Sequence, residues 1–103
     1  MKLKWYPGAQ EALQNTARYI QIHFGNKSCK EFLREVVRTE KLLRQHPNIG
    51  PIEPLLADLP KTYRSIVINS LNKLVYRIEE DVIIVVDFWD VRRDPNILAN
   101  QVK

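Results

Sequence analysis

Lys73 and Arg77 stand four residues apart in the β-rich run KLVYRI, so strand alternation puts both on one face. Cations on a sheet face can hold a phosphate backbone, or stabilise the charge that builds as a phosphodiester is cleaved. Arg64, in the preceding run, joins them or not according to strand register. The rival reading is ordinary cross-strand pairing with an acid such as Asp87, at about 0.2–1 kcal/mol per pair. The densest polar cluster is Asp87-Phe88-Trp89-Asp90-Val91-Arg92-Arg93-Asp94-Pro95, at the end of the last β-rich run. Strand ends often carry function. There Arg92 and Arg93 can grip a phosphate or carboxylate with two parallel hydrogen bonds, with Trp89 as adjoining contact surface. Equally, Arg93 and Asp94 can tie the tail to the sheet.

General acid–base chemistry is less well supplied. Cleaving RNA through its 2′-hydroxyl needs a base and an acid as well as cations. The two histidines, His23 and His46, fall late in separate helical patterns, where surface or capping roles are the ordinary ones. Glu79, Glu80 and Asp81 fill a tight turn and read as solvated. Cys29 is the single cysteine: near a helix N-terminus its thiol could be activated, but a structural role is the plainer one. There is no metal-ligand spacing, phosphate-cradling glycine loop or nucleophile motif, so neither metal nor cofactor is expected. A helical stripe of Lys27, Lys30, Arg34, Arg38 and Lys41 could follow a phosphate backbone. Glu31, Glu35 and Glu40 lie three or four residues from Arg34, Arg38 and Arg44 and can pair with them, which makes a solvated face the plainer reading.

The elements that must position these groups follow from periodicity. In the first strand Leu3 and Trp5 alternate with Lys2 and Lys4. Pro7 opens a helix whose apolar positions are Ala9, Ala12, Leu13, Ala17, Ile20 and Phe24, and Gly25-Asn26 stops it. Ser28 and Glu31 form a capping-box pattern that predicts the start of a second helix. Its buried stripe is Phe32, Leu33, Val36, Val37, Leu42 and Leu43, and Pro47 ends it. Residues 47–60 hold four of the six prolines and form an extended loop in which Ile52, Leu55, Leu56 and Leu59 can still pack. Tyr63–Asn69, Lys73–Ile78 and Val82–Trp89 then form an antiparallel meander with short polar turns. Leu74, Tyr76 and Ile78 are its core side, which leaves Lys73, Val75 and Arg77 on an open face. The C-terminal NILANQVK is a short helix or a tail. The order β-α-α-β-β-β defines an α+β fold, a helical hairpin packed on one face of an antiparallel sheet.

Composition sets the bounds. A chain of 103 residues, 45% hydrophobic and 27% charged, suits one soluble domain spanning 1–103. The net charge of +4 is concentrated in the first half, where nine Lys/Arg face four Asp/Glu. That favours acidic or polyanionic partners without requiring them. The lone cysteine, the lack of an apolar leader and the absence of a membrane-length run point to the cytoplasm and to no membrane association.

Tyr63-Arg64-Ser65-Ile66, then Leu74-Val75-Tyr76-Arg77-Ile78, an acidic turn, Val82 to Val86 and a closing Arg92-Arg93-Asp94-Pro95 form an ordered series. Together with the tryptophan-ended first strand and LLRQHPNIG, it resembles the RelE/ParE toxin superfamily over about residues 1–95. The resemblance implies the toxin of a bacterial type II toxin–antitoxin system, neutralised by a cognate antitoxin in a hetero-oligomer. RelE-like members are ribosome-dependent mRNA endoribonucleases, metal-independent, acting through sheet cations and a C-terminal tyrosine. ParE-like members inhibit DNA gyrase. Lys73 falls where the nucleases carry a sheet arginine, and Arg93 where they carry a later one. Their strand lysine falls near Ile66, and no tyrosine follows Arg93. The ending looks more like the ParE, or plasmid-stabilisation, branch. The resemblance therefore implies a gyrase inhibitor, with Arg64, Lys73, Arg77, Trp89, Arg92 and Arg93 as contacts to target or antitoxin. Its alternatives are an mRNA endoribonuclease using Lys73, Arg77 and Arg93, and an inactive homologue that only binds antitoxin.

Overall fold

A computed structural model of the chain describes residues 1–91; Arg92, Arg93 and the expected C-terminal helix or tail lie outside the described residues. The first strand, β1 (Lys2–Trp5), half-buries Leu3 and Trp5 and exposes Lys2 and Lys4, as the alternation requires. Pro7 opens helix α1 (Pro7–Phe24), where its missing N–H costs nothing. Ala9, Ala12, Leu13, Ala17 and Ile20 face the core from α1, the three alanines taking little room between helix and core. Helix α2 (Asn26–Gln45) buries Phe32, Val36, Thr39 and Leu43.

The junction between the helices differs from the capping-box expectation. Gly25 alone separates them, at φ 96° and ψ 172°. Its N–H donates to the Gln21 carbonyl of α1 and its own carbonyl accepts from the Cys29 N–H of α2, so one residue caps both helices. Asn26 is already helical, which places Ser28 inside the first turn, and no side chain caps the helix. The Cys29 thiol donates to the Ala17 carbonyl, a tie between the two helices.

The sheet has the order β1-β4-β3-β2, built with β2 (Arg64–Ile68), β3 (Asn72–Glu79) and β4 (Val82–Asp90). The last three strands form the expected antiparallel meander. β1 joins the edge parallel to β4, so the sheet is mixed. A strand separated from its sheet neighbour by two helices and two further strands is free of the hairpin constraint that forces antiparallel pairing. The hairpin turns use left-handed backbone at Asn69, Ser70 and Glu80. Between Val75 and Tyr76 the β3–β4 register shifts: Val75 faces Asp87 and Tyr76 faces Val85, with Val86 the extra residue of a bulge.

Both faces of the sheet are covered. Under the helices lie Ile68, Leu74, Tyr76, Ile83, Val85 and Phe88, with Trp5 and Phe32 flanking the Phe88 ring. On the other face Leu56 and Tyr63, with Leu59 alongside, cover Val75, Ile84, Val86 and Trp89. Leu56 belongs to a short 3-10 turn, Pro54–Leu56, within the proline-rich loop. Of the four loop residues expected to pack, Leu56 and Leu59 do, whereas Ile52 and Leu55 stay exposed.

Candidate functional site

The strand register separates the cations that sequence alone left together. Lys73 and Arg77 share a face of β3 with Val75, as parity predicts, whereas Arg64 lies opposite Tyr76 and follows it toward the helical side. The Arg64 guanidinium is used to close the loop after α2, donating through Nη1 to the carbonyls of Gly50 (2.8 Å) and Asn48 (3.3 Å). Three sheet cations do not converge.

Nor is the face that holds Lys73 and Arg77 open. The expected exposed surface is roofed by the proline-rich loop, because its leucines and Tyr63 have an apolar strip of Val75, Ile84, Val86 and Trp89 to cover. The loop also brings Glu53, which is wholly buried. Lys73 Nζ lies 2.6 Å from Glu53 Oε1 and 5.6 Å from the centroid of the Trp89 ring. Ser65 Oγ donates to the same carboxylate oxygen, and the Leu55 N–H to the other. An ionised carboxylate survives burial only with such a shell, and here one cation and two neutral donors provide it. Trp89 is itself buried, and among the described residues its indole N–H has no hydrogen-bond partner.

Arg77, at the other end of the strip, is held by Tyr6 and Glu79. Its Nη2 donates to Tyr6 Oη (2.8 Å) and to Glu79 Oε2 (2.9 Å), with the guanidinium 5.4 Å from the Tyr6 ring centroid. Burial works to lower its pKa, but the hydrogen bonds to Tyr6 and Glu79 outweigh that and hold it above its ordinary value. The reciprocal bond from Arg77, with Lys61 nearby, holds the Glu79 carboxyl below its ordinary value. Asp87, opposite Val75, is buried with its Oδ1 accepting from the Phe88 N–H.

Other expected participants lie elsewhere. His23 closes α1 with its ring against Tyr19, and His46 is the C-terminal cap residue of α2. Both belong to the helical layer, on the opposite side of the sheet from Lys73 and Arg77. Arg92 and Arg93 lie outside the described residues, although the strand that leads to them ends firmly, Val91 donating its N–H to the Leu71 carbonyl. Among the described residues no group of three His, Cys, Asp or Glu side chains could hold a metal ion. No helix there is long and apolar enough to cross a membrane. Sequence reasoning missed Glu53 and Tyr6, since neither a glutamate among prolines nor a tyrosine before Pro7 signals a partner across the sheet.

Electrostatically, then, Arg64, Lys73 and Arg77 are each engaged by the chain's own acceptors. They shape and rigidify a surface; they do not form a pocket of free positive charge.

The architecture is that of a small α+β toxin fold, two helices on one face of a four-stranded mixed sheet. It superposes on a chain from the chromosomal ParDE TA system from P. aeruginosa with a TM-score of 0.72, covering 89% of this chain and 97% of that one. Identity between the two is 20%, so the likeness is one of fold. The family of ParE toxins of type II toxin–antitoxin systems, parDE, matches residues 3–95, and the chain belongs to it. No curated protein matches the chain.

Proposed function

We propose that residues 1–103 form one toxin domain that acts by inhibiting DNA gyrase and is neutralised by a cognate antitoxin. The observation that carries this choice is the engagement of Lys73 by buried Glu53 and of Arg77 by Glu79 and Tyr6. A nuclease that stabilises a phosphorane-like transition state needs cations whose charge is available when substrate arrives. Here both described candidates for that role are spent on folding. A binding inhibitor has no such need: it requires a rigid shape and a few polar contacts, a role we assign to Arg92 and Arg93, which follow β4 in the sequence. Membership of the ParE family and the fold shared with a ParDE chain support the same reading.

A supercoiling assay with purified chain and gyrase tests it. Inhibition that weakens at least tenfold in an Arg92→Ala, Arg93→Ala variant is the expected result. Unimpaired supercoiling, together with codon-specific cuts in mRNA on expression, would place the chain with the ribosome-dependent endoribonucleases instead.

A further inference from the structure

The side of α2 turned away from the sheet carries charge and apolar surface that the fold does not use. Lys30, Arg34, Arg38 and Lys41 line a shallow groove with Leu33 and Val37. At 3.6 residues per turn these six fall within an arc of about 140°, opposite buried Phe32, Val36, Thr39 and Leu43. Leu33 and Val37 are 39% and 47% exposed, although both were expected in the buried stripe. The glutamates that could have neutralised the row do not: Glu40 accepts from the Trp5 indole, and the described residues hold only two ion pairs, Lys73–Glu53 and Arg77–Glu79. Among the described residues, none of the four cations has an ion pair or hydrogen bond.

A purely solvated helix face has no use for this composition. Exposed positions of a helix favour Lys, Glu, Gln or Ala, and a β-branched valine there loses side-chain freedom without gaining burial. A nucleic-acid backbone would engage the cations and leave Leu33 and Val37 uncovered. A helix or extended segment with aliphatic side chains flanked by carboxylates satisfies both, the apolar pair supplying buried area and the charges register and steering. We infer that the outer face of α2 is a docking surface for an acidic amphipathic segment of a partner protein. This inference concerns a face on the far side of the helical layer from Lys73 and Arg77, and it stands whichever target the toxin has.

The test uses the full chain and a fluorescent synthetic peptide of about 20 residues. It carries leucines at i, i+3, i+4 and i+7 spacing with glutamates on their flanks. A scrambled peptide of the same composition and a 20-nucleotide single strand are the comparisons, all read by anisotropy. The amphipathic peptide should bind at least tenfold tighter than the scrambled one, and less tightly as salt rises. The Arg34→Glu, Arg38→Glu variant should lose tenfold or more, and so should Leu33→Ser, Val37→Ser, both with unchanged circular dichroism. A Lys2→Glu, Lys4→Glu control should bind as the parent does. Equal binding of the two peptides, or equal loss in the Lys2/Lys4 control, would overturn the inference as mere charge attraction. Tight binding of the oligonucleotide that depends on Arg34 and Arg38 but not on Leu33 and Val37 would overturn it in favour of a nucleic acid.

Discussion

At the scale of single residues, the decisive object is the Glu53 carboxylate. It is fully buried, and its only charged partner among the described residues is Lys73, whose side chain is about a quarter exposed at 23%. Removing one member of such a pair is far costlier than replacing both, because the survivor is left charged in a poor solvent. Lys73→Ala should therefore destabilise the chain by about 3 kcal/mol. Lys73→Met combined with Glu53→Gln should recover most of that loss, since the Gln amide oxygen can still accept from the Leu55 N–H and its NH2 can donate to the Ser65 hydroxyl, while Met covers the Trp89 ring. Urea unfolding of the two variants checks this, and a Lys73→Ala protein as stable as the parent would show the pair to be ornamental. The same point governs any functional scan: reduced toxicity of a Lys73 variant says nothing about chemistry until its folded fraction is known. Nothing in the sequence near residue 53 announces this role. Parity correctly put Lys73 and Arg77 on one face, but Glu53, Ser65 and Tyr6 arrive from elsewhere in the chain, and only Glu79 comes from the same strand, two residues on from Arg77.

At the scale of elements, periodicity located both helices and all four strands, because each has one strongly apolar face that must be buried. It misplaced the joint between the helices. Ser28 and Glu31 satisfy the capping pattern, yet Gly25 ends α1 and begins α2 without an intervening loop. Local preference yields here to a backbone geometry that gives both helices a partner for an end group. Its φ of 96° with ψ of 172° belongs to a region essentially restricted to glycine. Gly25→Ala should cost about 1–3 kcal/mol even though open space surrounds the position. Gly8→Ala, also in open space but inside the first turn of α1, should be neutral or slightly stabilising. Thermal unfolding of the two alanine variants separates backbone strain from crowding; equal midpoints would show that the helical hairpin tolerates another junction.

At the scale of the whole molecule, the sheet has two covered faces where alternation alone suggested one. Lys73 and Arg77 in a strand look like residues of an open face, and the loop that roofs them reads as polar punctuation because four prolines interrupt it. Its packing residues, Leu56, Leu59 and Tyr63, are spaced irregularly, so no period reveals them. The sequence order of the elements was therefore legible, but the availability of the sheet cations was not. Because that availability decides between a nuclease and a binding inhibitor, the roof bears on function as well as on stability. Leu56 is its most buried apolar residue. Leu56→Ala should cost about 2–5 kcal/mol, according to how far the loop settles into the space vacated. If the loop also holds Glu53 in place, the same change should loosen the Lys73 pair. Amide hydrogen exchange would then quicken at Leu55 and Ser65 while the amides of Gly25 and Cys29 kept their protection, since those belong to the helical layer on the opposite face of the sheet from the lesion. Uniform acceleration throughout the chain would instead mean that roof and sheet unfold as one unit, and that Lys73 cannot be released without losing the fold.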